Sequence, residues 1–334
     1  MKVLLYSEGR KLLAKSGIGK ALEHQMQALK LNNVDFTTNP KDSFDVVHVN
    51  TAGLKSYLFA KKARRMGKKV IIHAHSTEED FRNSFILSNQ LAPLFKKWLI
   101  KVYNTADVLI TPTEYSKKLI EAYGIKKPIY AISNGIDIDF YKPVPNARSI
   151  YREKYGFSDT DKVILGVGLY IERKGILDFV ELAKRLPQYK FIWFGYLDLK
   201  LVPANMREAV TTKLPNLQFP GYVKSEVLRL AQAGSDLFFF PTQEETEGIV
   251  ILEALAVKQQ VLVRDIELYR EWIKEDIHVY KGRNIDEFET KIKDILEGKL
   301  PNLSGSAYEL ALEKDIKYIG KLLKDLYENL YNQK

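Results

Sequence analysis

Two glutamates, Glu245 and Glu253, stand eight positions apart in the run EETEGIVILEALA. Glu245 ends a polar loop after the apolar stretch 237–241, and Glu253 lies inside an apolar run, 249–257, that reads as the start of a buried helix. A strand, a turn holding Gly248 and a helix N-terminus present backbone N–H groups without intrahelical partners, which suits an anion. A carboxylate in an apolar run is costly unless something pairs with it; the plain alternatives are a solvated helix residue and a loop charge. Arg173 and Lys174 follow a loop with glycines at 166 and 168 and precede Gly175. A guanidinium fork beside an ammonium suits a diphosphate, and surface solvation explains the same pair. Gly17 and Gly19, in the run SGIG, fall between the first strand and a helix expected to begin near Lys20. They either bring backbone N–H groups close to phosphate oxygens or make a tight turn. Neither glycine run completes a dinucleotide fingerprint, because Leu22 and Ile171 stand where a small residue is needed. His73 and His75 close a strand where α/β sheets bind ligands, and their rings are expected on opposite sides, so that one faces a cleft.

Short apolar strands and amphipathic stretches alternate along the chain and would position these residues. The predicted strands are 3–6, 46–49, 70–73, 108–111 and 129–132, then 163–166, 191–194, 237–240 and 261–263. The run FYKPVPN at 140–146 breaks both periods. The expectation is α/β: two doubly wound parallel-sheet domains, 1–145 and 146–311, then an amphipathic helix in 312–334 that could pack on either.

Composition narrows the function. The chain has no cysteine, five scattered histidines and no HExxH, so thiolate metal sites are excluded and no metal site is expected. No apolar run approaches the roughly 18 residues of a membrane span, and the chain opens directly on a strand. A protein in the cytoplasm, or attached to a membrane without crossing it, is expected. Residues 1–145 carry 23 Lys and Arg against 13 Asp and Glu, whereas the rest carry 28 against 29. One lobe therefore either meets an anionic surface or is simply solvated. No nucleic-acid recognition module is visible. In the run 89–103, Lys96, Lys97, Trp98 and Lys101 fit a helix lying in a membrane interface, and an ordinary core-facing helix has the same spacing.

Taken in order, the glycine run at 17–19, His75, the run SNGID at 133–137, Lys174-Gly175 and the Glu245/Glu253 pair resemble glycosyltransferase family 4 over nearly the whole chain. The runs HAHSTEEDFRNSF, ITPTEYSK and EETEGIVILEALA are similar to Gram-positive enzymes that add the second sugar to monoglucosyl-diacylglycerol and so make the disaccharide lipid anchor of lipoteichoic acid. The resemblance implies the GT-B fold, two facing Rossmann-like domains with a cleft between them. It implies a retaining transfer of a hexose from a UDP-sugar to a glycosyl-diacylglycerol at the inner face of the cell membrane, without a metal or other cofactor. UDP-galactose is favoured over UDP-glucose on the likeness of the first and third runs. A soluble or polyprenyl-linked saccharide is the alternative acceptor. By the same resemblance, Glu253 holds the ribose, Glu245 the transferred sugar, and Arg173 and Lys174 the diphosphate. His75 stands beside sugar and acceptor, Gly17 and Gly19 approach the diphosphate, and Thr246, Glu247 and Gly248 line the sugar's place. Three departures stand out: Leu169 where the family often has arginine, Thr246 for a glycine, and Lys258 and Gln260 for a glycine and a proline.

Overall fold

The computed structural model describes residues 1–10 and 16–333, which form two compact units. The first comprises 1–81, 89–137 and 314–334; the second comprises 82–88 and 138–313.

In the first unit, β1 (Lys2–Tyr6), β2 (Asp35–Thr37), β3 (Val46–Val49), β4 (Lys69–His73), β5 (Val108–Thr111) and β6 (Ile129–Ala131) make one parallel sheet in the order β2-β1-β3-β4-β5-β6. In the second, β7 (Val163–Val167), β8 (Lys190–Phe194), β9 (Leu217–Gly221), β10 (Leu237–Phe240), β11 (Val261–Arg264) and β12 (Tyr280–Gly282) make another, in the order β12-β11-β10-β7-β8-β9. The central strands are buried on both faces, as parallel strands under helices must be, and every residue of β3, β5, β7 and β10 is buried. All nine strands predicted from the sequence are present. The three that were not predicted, β2, β9 and β12, are all edge strands. β2 and β9 are only partly buried and lack the unbroken apolar run of a central strand.

Three expectations change. The boundary falls after Asp137 rather than at 145, and Arg82–Ser88 groups with the second unit. The amphipathic helix expected within 312–334 is present as Ile316–Asn332 and belongs to the first unit; because Leu312 ends the preceding helix, Ser304–Leu312, it starts later. Its start is fixed by Asp315, whose side chain accepts from Lys317 N, and by paired backbone bonds between Ile136 and residues 314 and 316. Ile319, Leu323, Leu326, Tyr327 and Leu330 then pack with Leu22 and Leu29. Gly320 permits this approach, because a side chain there would run into the Ala28 carbonyl. Finally, the helix expected to begin near Lys20 spans Gly17–Leu31. Ser16 caps it by accepting from Gly19 N at 3.3 Å, so both glycines lie in the first helical turn instead of a loop before it.

Candidate active site

Gly175 organises the charged half of the site. It has φ of +77°, ends the short turn Glu172–Lys174 and begins the helix Ile176–Arg185. Any side chain at Gly175 would collide with the Pro241 carbonyl at the end of β10, so the turn lies directly against the loop 242–248. A backbone bond fixes this contact: Gln243 N donates to Arg173 O at 2.7 Å, and Thr242 Oγ1 lies 3.3 Å from the same oxygen. Lys174 and Arg173 thereby meet Glu245. Lys174 Nζ forms an ion pair with Glu245 Oε1, Arg173 Nη1 stands 3.7 Å from it, and Thr242 Oγ1 donates to it at 2.9 Å. Burial raises the Glu245 pKa, but Lys174 and Arg173 outweigh it and hold the carboxyl below its ordinary value. Arg173 is held from the other side as well. Its N–H donates to Asn83 O at 3.1 Å and its Nε to Ser84 Oγ at 3.3 Å, which explains why 82–88 groups with this unit.

Gly248, with φ of +87°, starts the helix Ile249–Ala256, and the Tyr269 hydroxyl lies under it, 3.1 Å from where a Cβ would stand. Glu253 is 3% exposed, so the solvated-helix alternative is excluded. Its Oε1 accepts from the Tyr141 hydroxyl at 2.5 Å. Glu245 and Glu247 are also buried, whereas Thr246 is only partly so. The glycines at 166 and 168 answer to packing: side chains there would press on Trp193, whose indole donates to Gly168 O at 2.9 Å.

In the first unit, His75 lies two residues beyond the end of β4, and its N–H folds back on His73 O at 3.0 Å. Residues two apart along an extended chain share a face, so the expectation that the two rings point to opposite sides is corrected. The rings instead stack on one side, with centroids 3.8 Å apart and planes 8° apart, and His48 stacks on His73 at 5.3 Å. Burial pushes the pKa of His48 and of His75 down to about 3, so both are neutral at pH 7. The run at 133–137 has a structural task within this unit. Gly135 O accepts from His24 Nδ1–H at 2.8 Å, Asp137 accepts from Gln27, and Ile136 bridges to the C-terminal stretch.

The helix Ser88–Tyr103 divides the proposed membrane group. Trp98 donates to Ala52 O at 2.6 Å and packs edge-on against Tyr57, and Lys96 pairs with Glu78 at 3.2 Å above the Tyr123 ring. Both are partly buried and each holds a contact within the unit. Lys97 and Lys101 are exposed, together with Leu91 and Leu94.

Sequence reasoning missed Tyr141, Asn50, Asn83 and Ser84. Tyr141 sits in the run taken as a domain break, and an aromatic that is fully buried there was the available signal only once the fold was known.

Comparison with known proteins fits this arrangement. Residues 36–140 match the family model "Glycosyltransferase Family 4", and residues 147–309 match "Glycosyl transferases group 1". The chain is 43% identical over 333 residues to the processive diacylglycerol alpha-glucosyltransferase of Acholeplasma laidlawii, covering 99% of this chain and 98% of that one. It is 26% identical over 320 residues to the alpha-galactosylglucosyldiacylglycerol synthase of Streptococcus pneumoniae, covering 94% and 85%. Among solved structures, Anabaena HepE in complex with UDP and glucose superposes with a TM-score of 0.81 at 16% identity, covering 98% of this chain and all of that one. Sucrose-phosphate synthase of Thermosynechococcus elongatus gives 0.83 at 15% over the full length of both. The chain belongs to glycosyltransferase family 4 and has the GT-B fold.

Proposed function

We propose that this protein is a retaining hexosyltransferase that extends a glycosyl-diacylglycerol from a UDP-sugar. The observation that carries the donor side is the buried cluster of Arg173, Lys174 and Glu245 beside Gly248 and the head of the helix Ile249–Ala256. A leaving diphosphate takes its compensating charge from the two cations and the helix N-terminus, so no metal is needed. Glu253, held by Tyr141, accepts from the ribose hydroxyls, while Glu245, set between cations and Thr242, meets the transferred sugar. UDP-hexoses carry an α-linked phosphate, and the 43% identical relative is named for an α-product, so retention is the matching stereochemistry. That relative transfers glucose and the 26% identical one is named for galactose. We therefore place UDP-glucose ahead of the UDP-galactose favoured by the short runs.

The acceptor side rests on both relatives being named for diacylglycerol lipids and on an exposed surface of the first unit. Leu54 and Leu58 lie one turn apart on the helix Leu54–Arg65, and Leu91 and Leu94 project from the helix Ser88–Tyr103. Tyr57 and Trp98 join the two helices, and Lys61 and Lys101 both sit over the Tyr57 ring. Apolar side chains beside lysines suit an anionic lipid surface. Among the described residues no helix is long and apolar enough to cross a membrane.

The deciding experiment measures turnover of UDP-glucose and UDP-galactose with monoglucosyl-diacylglycerol in mixed micelles, with and without EDTA. Transfer to the lipid, α-linked and unchanged by EDTA, is expected. Hydrolysis without transfer, or transfer only to a water-soluble saccharide, would refute the assignment.

A further inference from the structure

His75 lies outside any strand, yet its ring has little freedom. His73 stacks on one face at 3.8 Å, and His48 stacks on His73 at 5.3 Å. Both ring nitrogens of His73 are buried without a hydrogen-bond partner, a costly placement that hydrogen bonding does not explain. What His73 does contribute is a flat surface for His75. The electrostatic partners of the three imidazoles are one another, and the Tyr327 hydroxyl of the C-terminal helix lies 2.7 Å from His48 Nδ1.

Asn50 fixes the remaining freedom. It follows β3 directly, and its N–H donates to Tyr6 O at 2.8 Å. Its Nδ2 donates to Gln25 Oε1 at 2.9 Å and to His48 O at 3.4 Å. Those two oxygens decide which end of the amide carries the hydrogens. The other end, Oδ1, meets His75 Nε2 at 3.3 Å. A carbonyl oxygen only accepts, so Nε2 carries the proton, and a neutral imidazole then keeps its lone pair on Nδ1.

We propose that Asn50 and His73 are positioning residues that hold His75 as the Nε2–H tautomer, with Nδ1 offered as a neutral acceptor for a sugar hydroxyl. The sugar contact rests on the function proposed above; the tautomer does not. The assignment implies that a bound hydroxyl must donate at this point, which a protonated His75 could not accommodate.

Long-range 15N–1H spectra of 15N-histidine-labelled protein read the tautomer, with the His75 signal identified by its loss in His75→Gln. The Nε2–H form is expected at pH 7, and the Nδ1–H form or an imidazolium would overturn the proposal. Asn50→Asp places a carboxylate against Nε2–H and favours the imidazolium. Its kcat/KM should fall roughly tenfold for each pH unit below the raised pKa, while the wild type shows no such step. A variant profile parallel to the wild type would overturn the proposal. His73→Phe preserves a flat ring and should keep kcat within about threefold, whereas His73→Ala should lose roughly tenfold, on the order of 1.4 kcal/mol; equal losses would reject positioning by stacking. If a variant does not fold, the wild-type spectrum still decides. Absence of transfer to lipid alongside the expected tautomer would reject the function and leave the geometry standing.

Discussion

Glu245 is buried against two cations, and that arrangement constrains what its removal can do. A Glu245→Gln change leaves Lys174 and Arg173 beside a neutral amide in a buried setting. Removing one partner of a buried ion pair costs about 3–5 kcal/mol. A bound diphosphate would supply the missing negative charge. Glu245→Gln should therefore melt well below the wild type without ligand, and UDP should raise its melting temperature by more than it raises that of the wild type. Equal increments in thermal melts with and without UDP would show that the cations do not meet the diphosphate. Glu253 accepts a hydrogen bond from the neutral Tyr141 hydroxyl. Losing a hydrogen bond to a charged group costs roughly 1.5–3 kcal/mol, so Glu253→Ala should weaken UDP binding about ten- to a hundredfold. Tyr141→Phe, which leaves the carboxylate in place but loosens it, should weaken binding less. Calorimetric titration of UDP into both variants ranks them, and unchanged affinity in Glu253→Ala would remove the ribose role.

The helix Ser88–Tyr103 shows how sequence and structure divide the information. Its spacing of Leu91, Phe95, Trp98, Leu99 and Val102 predicted an amphipathic helix, and the helix is there. The spacing did not reveal which residues its neighbours claim. Leu99 and Val102 enter the core, Trp98 is tied to Ala52, and Lys96 to Glu78. Those contacts come from segments 18 to 46 residues away in sequence. The same limit hid Tyr141 and Ser84, whose partners Glu253 and Arg173 lie 112 and 89 residues away. Central strands were legible because a doubly buried strand must be apolar throughout; the edge strands β2 and β9 are only partly buried and give no such signal. The distinction is testable on the helix itself. Lys97→Glu with Lys101→Glu should weaken binding to anionic vesicles, each lysine contributing on the order of 1 kcal/mol, and leave the melting temperature nearly unchanged. Lys96→Glu should instead lower stability, by setting two carboxylates together beside Tyr123. Co-sedimentation and thermal melts separate the outcomes. A double variant that binds vesicles as the wild type does would show that this face does not meet lipid.

The five histidines are divided very unevenly between the two units. His24, His48, His73 and His75 are buried in the first, and only the partly exposed His278 lies in the second. Burial, aided by Lys20, brings His24 down to about 4, and burial brings His48 and His75 to about 3 and His73 well below its ordinary value. All four are thus neutral in the folded unit, while in the unfolded chain they titrate near 6.5. Below that pH the unfolded state binds more protons, so stability must fall as pH falls, by up to about 1.4 kcal/mol per pH unit for each histidine. The loss begins near 6.5 and continues toward the folded values near 4 and 3. Glu245 adds an acid-sensitive contribution to the second unit, but its depressed pKa places that loss below the ordinary carboxylate range near 4.3. Between about pH 7.5 and 5.5 the first unit should therefore lose far more stability than the second. Trp98 reports on the first unit, and Trp193 and Trp272 on the second. With 5-fluorotryptophan in place of tryptophan, the 19F signals follow urea unfolding of each unit in one sample. The Trp98 midpoint should drop markedly over that pH interval while the other two move little. If all three drop together, the units unfold as one; if the Trp98 midpoint does not drop, the buried histidines take up protons without loss of the fold.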